Sequence, residues 1–217
     1  MADLSIQVAD EALRSRLEAA VDPEGKIPRT LEALGPVSGR RVVLIDSQTG
    51  LRARQLTALG ARVTALPGTS TERLPGSLAD VVVSLWGAFR GATRETDAQV
   101  REAERISRPG ARLLVVHDYG RDDVSRLLDD LDREREQAAW SHRMGWFLMH
   151  GFKIRVLHCW WSFASLPEAR ELLGAVFGER GDAIAADLTR PRLSYKVAVY
   201  HRTLGLAAPA DDTPDID

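Results

Sequence analysis

The chain has 217 residues, of which 44% are hydrophobic and 28% charged, and it carries a net charge of −2. That composition fits one soluble α/β domain with a full core. It provides no global positive field for nucleic acid or anionic lipid, so neither is expected as a partner. Lys26, Lys153 and Lys196 are the only lysines, and Cys159 is the single cysteine, which excludes an intrachain disulfide and suits a reducing cytoplasm. The N-terminus has no signal-peptide core, and no apolar run is long enough to span a bilayer; a soluble, cytoplasmic protein is expected.

Leu13, Leu17, Ala20 and Val21 recur at helical spacing and predict a first helix, ended by Asp22-Pro23-Glu24-Gly25. A short helix follows Pro28 through Leu31 and Leu34. Residues 1–38 thus read as a helical N-terminal segment and 39–205 as the main domain. Residues 206–217, AAPADDTPDID after Leu206, read as a disordered acidic tail.

Strands and helices alternate through the main domain. Arg41 to Asp46 predicts a buried strand, Leu51 to Leu59 a helix with Gly60 just past its end, Ala61 to Leu66 a second strand and Ala79 to Trp86 a third. Thr96 to Ser107 predicts a helix, with Thr96 and Gln99 at capping-box spacing and Arg108-Pro109-Gly110 as its stop. Arg112 to His117 predicts a fourth strand. A long helix then starts near Asp122, with Val124, Leu127, Leu128 and Leu131 on one stripe, and its continuation DREREQ reads as a solvated face. Phe152 to Trp160 is a fifth strand, Leu166 to Phe177 a helix and Leu193 to His201 a last strand. Runs such as VVLI, VVVSL and LLVV are apolar without alternation, as central parallel strands are. The fold class is α/β: a doubly wound, mostly parallel sheet of about six strands, helices on both faces, and an antiparallel C-terminal strand.

Ligands of such sheets bind beyond the carboxyl ends of the strands, where the strand order reverses. The candidate residues follow three strands: Asp46, Ser47, Gln48, Thr49 and Gly50 after the first, Trp86 after the third, and His117, Asp118 and Tyr119 after the fourth. HDYGRDD, from His117 to Asp123, is the most concentrated polar group of the chain. A histidine beside a carboxylate can act as a general base with an orienting partner. The same residues can equally make a turn at Gly120 and cap the next helix through Asp118 or Asp122.

The order of these segments resembles a class I S-adenosylmethionine-dependent methyltransferase from Arg40 to about Arg202. RRVVLIDSQTGLRARQLTALGARVTAL resembles that family's first strand, glycine loop, helix and second strand. LPGSLADVVVSLW resembles the segment leading into its fourth strand, and EAERISRPGARLLVVHDY its next helix, turn and fifth strand. FKIRVLHCWWSF and LSYKVAVYHR resemble its last two, antiparallel, strands. The resemblance implies S-adenosylmethionine as cofactor, held by Asp46, Ser47, Gln48, Thr49, Gly50 and Trp86. It implies methyl transfer to a small molecule near His117, Asp118 and Tyr119, with His117 taking a proton from a hydroxyl nucleophile.

Three departures from the family pattern stand out. With Gly50 on the last glycine of the loop, Gln48 and Asp46 replace the other two, and the acidic position falls on Leu44. The second strand ends in Thr64-Ala65-Leu66-Pro67 without the acid that holds ribose hydroxyls, and the nearest acid is Glu72. Between Pro67 and Leu78 only twelve residues stand where the family has a helix, a strand and an adenine-contacting acid, so that unit is deleted. These losses leave a second reading open: a non-catalytic protein of the same fold that acts through self-association or a partner. Trp140, Trp146, Trp160 and Trp161 with Phe147 and Phe152 would then supply core and a homodimer interface. No metal site is expected, because His158 and Cys159 alternate across a strand and no zinc spacing occurs.

Overall fold

The computed structural model describes residues 4–46, 50–68, 70–90 and 94–205; the acidic tail lies outside them. The chain begins with α1 (Glu11–Ala20), capped by the Asp10 carboxylate, which accepts the Leu13 N–H at 2.9 Å. In α2 (Lys26–Leu34) the buried Asp22 carboxylate accepts the N–H groups of Lys26 and Ile27 at 2.9 and 2.7 Å. That cap starts the helix two residues before Pro28, which sits in the first turn where its missing N–H is not needed.

The elements that follow are β1 (Arg41–Ile45), α3 (Leu51–Ala58), β2 (Arg62–Ala65), β3 (Ala79–Leu85), α4 (Arg94–Ile106) and β4 (Ser107–Asp118). Then come α5 (Asp123–Leu128), α6 (Leu131–Ser141), α7 (Trp146–Met149), β5 (Lys153–Ser162), α8 (Leu166–Phe177), α9 (Glu179–Ala186) and β6 (Arg192–Thr203). They form one six-stranded sheet in the order β2-β1-β3-β4-β6-β5. β2, β1, β3 and β4 are parallel, and β6 runs antiparallel to both of its neighbours. This is the expected fold class, with the reversed strand where the sequence puts it.

Alternate residues of the central strands feed two apolar layers. Val42, Leu44, Val81 and Val83 pack with Leu17, Ile27 and Leu31, so the N-terminal helices are built into the core of one face. Val43, Ile45 and Val82 pack on the other face with Ala103 and Ile106 of α4, and with Trp140, Phe147 and Phe152. Each such buried Val, Leu or Ile contributes roughly 1.5–3 kcal/mol, and β1, β3 and β4, buried on both faces, fix the centre of the sheet.

Several boundaries depart from the sequence reading. The capping box at Thr96 does not form: α4 already runs at Arg94, Thr96 is buried inside it, and Gln99 Oε1 instead accepts the Phe89 N–H at 2.7 Å. Strand β4 starts at Ser107, directly after the helix, and Gly110 (φ 81°) turns the backbone within it. The single long helix after Asp122 is two helices, broken at Asp129, whose left-handed backbone (φ 46°) ends α5. A new cap at Asp130 restarts the chain as α6, and Leu131 is 64% exposed rather than on the apolar stripe. No helix or strand occurs between β2 and β3 among the described residues. β2 is therefore an edge strand whose side chains are mostly exposed.

Candidate functional site

β1 pairs with β2 on one side and β3 on the other, so the strand order reverses between β1 and β3, and a ligand crevice belongs at their carboxyl ends. Asp46 follows β1 in a left-handed conformation (φ 62°), and its N–H bonds the Gly68 carbonyl at 3.1 Å. Its buried carboxylate lies against Gly87: a Cβ added at residue 87 would stand 1.6 Å from Asp46 Oδ2. Gly50 is also left-handed (φ 78°) where it opens α3. Asp46 and Gly50, the positions aligned with the first and last loop glycines, thus both hold a glycine-like backbone. Ser47, Gln48 and Thr49 lie outside the described residues.

Beside this turn is a pocket of about 230 Å³. Ile45 closes it from β1, Thr71 and Glu72 from the segment before β3, Phe89 from the segment after β3, and Glu95 and Gln99 from α4. Glu102, at the same wall, is held by the Arg105 guanidinium and by the Thr71 hydroxyl at 3.1 Å; its carboxyl is lowered from the usual range, chiefly by the Arg105 hydrogen bond. Gln99 Nε2 donates to Glu95 Oε1 at 3.4 Å, so the amide that holds Phe89 also orients a carboxylate. Glu72 is exposed at the rim. The pocket is therefore acidic, and suited to a cation.

The residues after β3 and β4 are arranged differently from the sequence expectation. His117 is buried, and its Nε2 lies 3.1 Å from the Phe89 carbonyl oxygen. A carbonyl only accepts, so Nε2 carries the proton. The ring packs 4.5 Å from that of Trp140, with Phe147 and Tyr200 beyond. Burial pushes its pKa down to about 3, leaving it neutral. Asp118, the next residue of the strand, faces the opposite layer. It accepts from Trp86 Nε1 at 3.0 Å, from the Tyr195 hydroxyl at 2.6 Å and from Arg133 Nη2. Arg133 also donates to the Ser5 carbonyl at 3.0 Å, and burial with the adjacent Asp118 charge holds the Tyr195 hydroxyl well above its usual pKa. Trp86 and Asp118 are thus brought together, while His117 and Asp118 are not a base and its orienting partner. Tyr119 is half-buried, its N–H on the Lys196 carbonyl at 2.9 Å.

The turn chemistry of HDYGRDD is carried by Gly120 and Asp122. Asp122 caps α5, accepting from the Ser125 N–H and hydroxyl at 2.8 Å each and from the Lys196 N–H at 2.6 Å. Burial raises its carboxyl pKa above the ordinary value. Arg133 and Tyr195 escape the sequence reading: Arg133 stands in a run with no apolar period, and Tyr195 only alternates along β6. Trp140, Trp161, Phe147 and Phe152 are buried in the core, whereas Trp146 and Trp160 are half-buried. Among the described residues no group of three His, Cys, Asp or Glu could hold a metal ion, and no helix is long and apolar enough to cross a membrane.

No family model matches this chain, and no curated protein does. Solved structures match its fold. An S-adenosylmethionine-dependent methyltransferase from Thiobacillus denitrificans, in complex with S-adenosyl-L-homocysteine, is 16% identical; the match covers 91% of this chain and 99% of that one, with a TM-score of 0.51. The YcgJ protein of Bacillus subtilis is 14% identical over 83% and 97% of the two chains, with a TM-score of 0.48. A methyltransferase from Thermotoga maritima is 14% identical over 81% and 86%, with a TM-score of 0.40. The first of these likenesses establishes a methyltransferase-like α/β fold.

Proposed function

We propose that this chain binds S-adenosylmethionine at the carboxyl edge of β1 and β3 and transfers its methyl group to a small molecule. One observation carries the reading: an acidic pocket opens at the strand-order reversal of a sheet of methyltransferase type. The cofactor bears a sulfonium and an ammonium, and Glu72 and Glu95 complement that charge. The residues present fit it. Glu72 would take the ribose hydroxyls, and the turn begun by Asp46 would take the amino-acid end. At about 230 Å³ the pocket is smaller than the roughly 300–1,000 Å³ usual for ligand sites, so the ligand extends past its rim towards that turn.

The bound cofactor supplies an activated methyl group on a positive sulfur. The chain's own contribution is positioning and exclusion of water. His117, neutral and bonded to the Phe89 carbonyl, would shape the pocket wall through Phe89 rather than take a proton from the acceptor. The test is a thermal shift with S-adenosylmethionine in wild type and in Glu72→Gln. A ligand at about 100 times its Kd stabilises by about 2.7 kcal/mol; the reading expects that shift in wild type and a weaker one in the variant. Equal shifts, or none, go against it.

One observation favours a second reading, a non-catalytic protein of this fold. The Asp46 carboxylate occupies the crevice against Gly87, where a cofactor needs close backbone approach. In that reading the exposed Met144 and Met149, beside the aromatic layer, belong to a homodimer contact.

A further inference from the structure

Residues 4–9 run ahead of α1 without helix or strand, and among the described residues no backbone–backbone hydrogen bond holds them. Side chains dock them instead. Leu4 is 4% exposed and belongs to the apolar layer of Trp86, Leu127 and Tyr195, and Ile6 and Val8 pack against that layer. Gln7 and Ala9, between and after them, are exposed, the alternation of an extended segment with one face inward. The polar tie is Arg133 of α6. Its Nη2 donates to the Ser5 carbonyl at 3.0 Å and, from the same nitrogen, to the Asp118 carboxylate. Asp132, Glu134 and Arg135 beside it are exposed, so Arg133 is the charge of that run that turns inward.

A segment tied by side chains alone loses little of the fold's own bonding when it leaves. Such segments open at a lower free energy than the core around them. The place also matters. Asp118 ends β4, and its carboxylate is shared with Trp86 and Tyr195 at the carboxyl edge, where sheets of this type take their ligands. We propose that residues 4–9 are a strap that closes the Asp118 side of this edge, is latched by Arg133, and lifts while the rest of the fold stays intact. Lifting takes the Ser5 carbonyl off Arg133 and opens that nitrogen to an acceptor oxygen brought by a ligand. The strap thus regulates access to the edge by occupying it.

The chain carries its own control for the test. Cys159 in β5 is 2% exposed, and burial pushes its thiol up to about 12, so it is unreactive until its surroundings unfold. The experiment is iodoacetamide labelling of the full chain with Leu4→Cys, the two thiols being read separately by peptide mass spectrometry. The introduced thiol should label at least about tenfold faster than Cys159, because its opening costs less than global unfolding. Low urea should leave its rate nearly flat while that of Cys159 climbs with the slope of global unfolding. Adding Arg133→Gln should speed the introduced thiol about tenfold relative to Cys159, the worth of one hydrogen bond to a charged group. Ile6→Cys reports on the same strap if Leu4→Cys folds poorly. Equal rates and equal urea slopes for the two thiols would mean that the strap leaves only on global unfolding, and would overturn the proposal. An Arg133→Gln effect shared equally by both thiols would overturn it too, since Arg133 would then be a strut of the fold rather than a latch. The labelling uses no S-adenosylmethionine and alters no residue of the acidic pocket, so the cofactor reading stands or falls separately.

Discussion

The Tyr195 hydroxyl donates to Asp118 Oδ1 at 2.6 Å, and Trp86 Nε1 donates to the same oxygen at 3.0 Å. With Arg133 on its other oxygen, Asp118 ties the segment after β3 to β4, β6 and α6. Removing it would leave the half-buried Arg133 without its carboxylate and two buried donors unmatched. Asp118→Ala is therefore expected to cost about 3–5 kcal/mol in urea unfolding. Tyr195→Phe deletes one donor and should cost about 1 kcal/mol. A loss in Asp118→Ala no larger than that of Tyr195→Phe would contradict the shared role of its carboxylate.

His117 gives the protein an acid-sensitive element. Its folded pKa, about 3, lies below its ordinary value of 6.5. The unfolded chain therefore takes up a proton at a higher pH than the folded one. The stability from keeping His117 neutral is complete above pH 6.5 and falls as pH drops from there towards about 3. The slope approaches about 1.4 kcal/mol per pH unit. His117→Phe should flatten this limb between pH 6 and 4 when unfolding free energy is measured against pH. An unchanged slope would show that His117 titrates normally.

Gly87 and Asp46 should be energetically coupled. Gly87→Ala forces the Asp46 carboxylate aside, for about 1–3 kcal/mol of overpacking. In an Asp46→Gly background the same substitution has nothing to displace. A double-mutant cycle on unfolding free energies should return a coupling of about 1 kcal/mol or more; additive effects would contradict the close approach.

The strands and the outline of the sheet were legible because a buried strand must be continuously apolar, as in VVLI and VVVSL. Leu166 to Phe177 was legible to the residue, with Ser165 capping it. Less visible were features decided by tertiary partners. Asp129 breaks a sound apolar stripe because its backbone turns left-handed before a second cap at Asp130. Thr96 and Gln99 have capping spacing, yet Gln99 is drawn to Phe89. The helices Trp146–Met149 and Glu179–Ala186 are too short for periodicity to reveal. At the site, strand alternation alone separates His117 from Asp118, and it was open to inspection in the sequence. Arg133 was not, since nothing in DREREQ marks which charge turns inward.

The aromatic half divides into core and surface. Trp161 is 1% exposed, so Trp161→Ala should destabilise the fold by about 3–5 kcal/mol rather than act on assembly alone. Met144 and Met149, 65% and 59% exposed, are the residues to vary for self-association. In the dimer reading, Met144→Ser with Met149→Ser lowers the sedimentation-derived mass at unchanged stability. An unchanged mass would remove this surface from the account.

The most direct measurement of the central claim is titration calorimetry of the purified chain with S-adenosylmethionine and S-adenosylhomocysteine. The account predicts saturable binding of both, weakened by Glu72→Gln. No heat with either ligand at millimolar concentration would contradict it, and would leave the crevice at Asp46 as a closed turn on a methyltransferase-like fold.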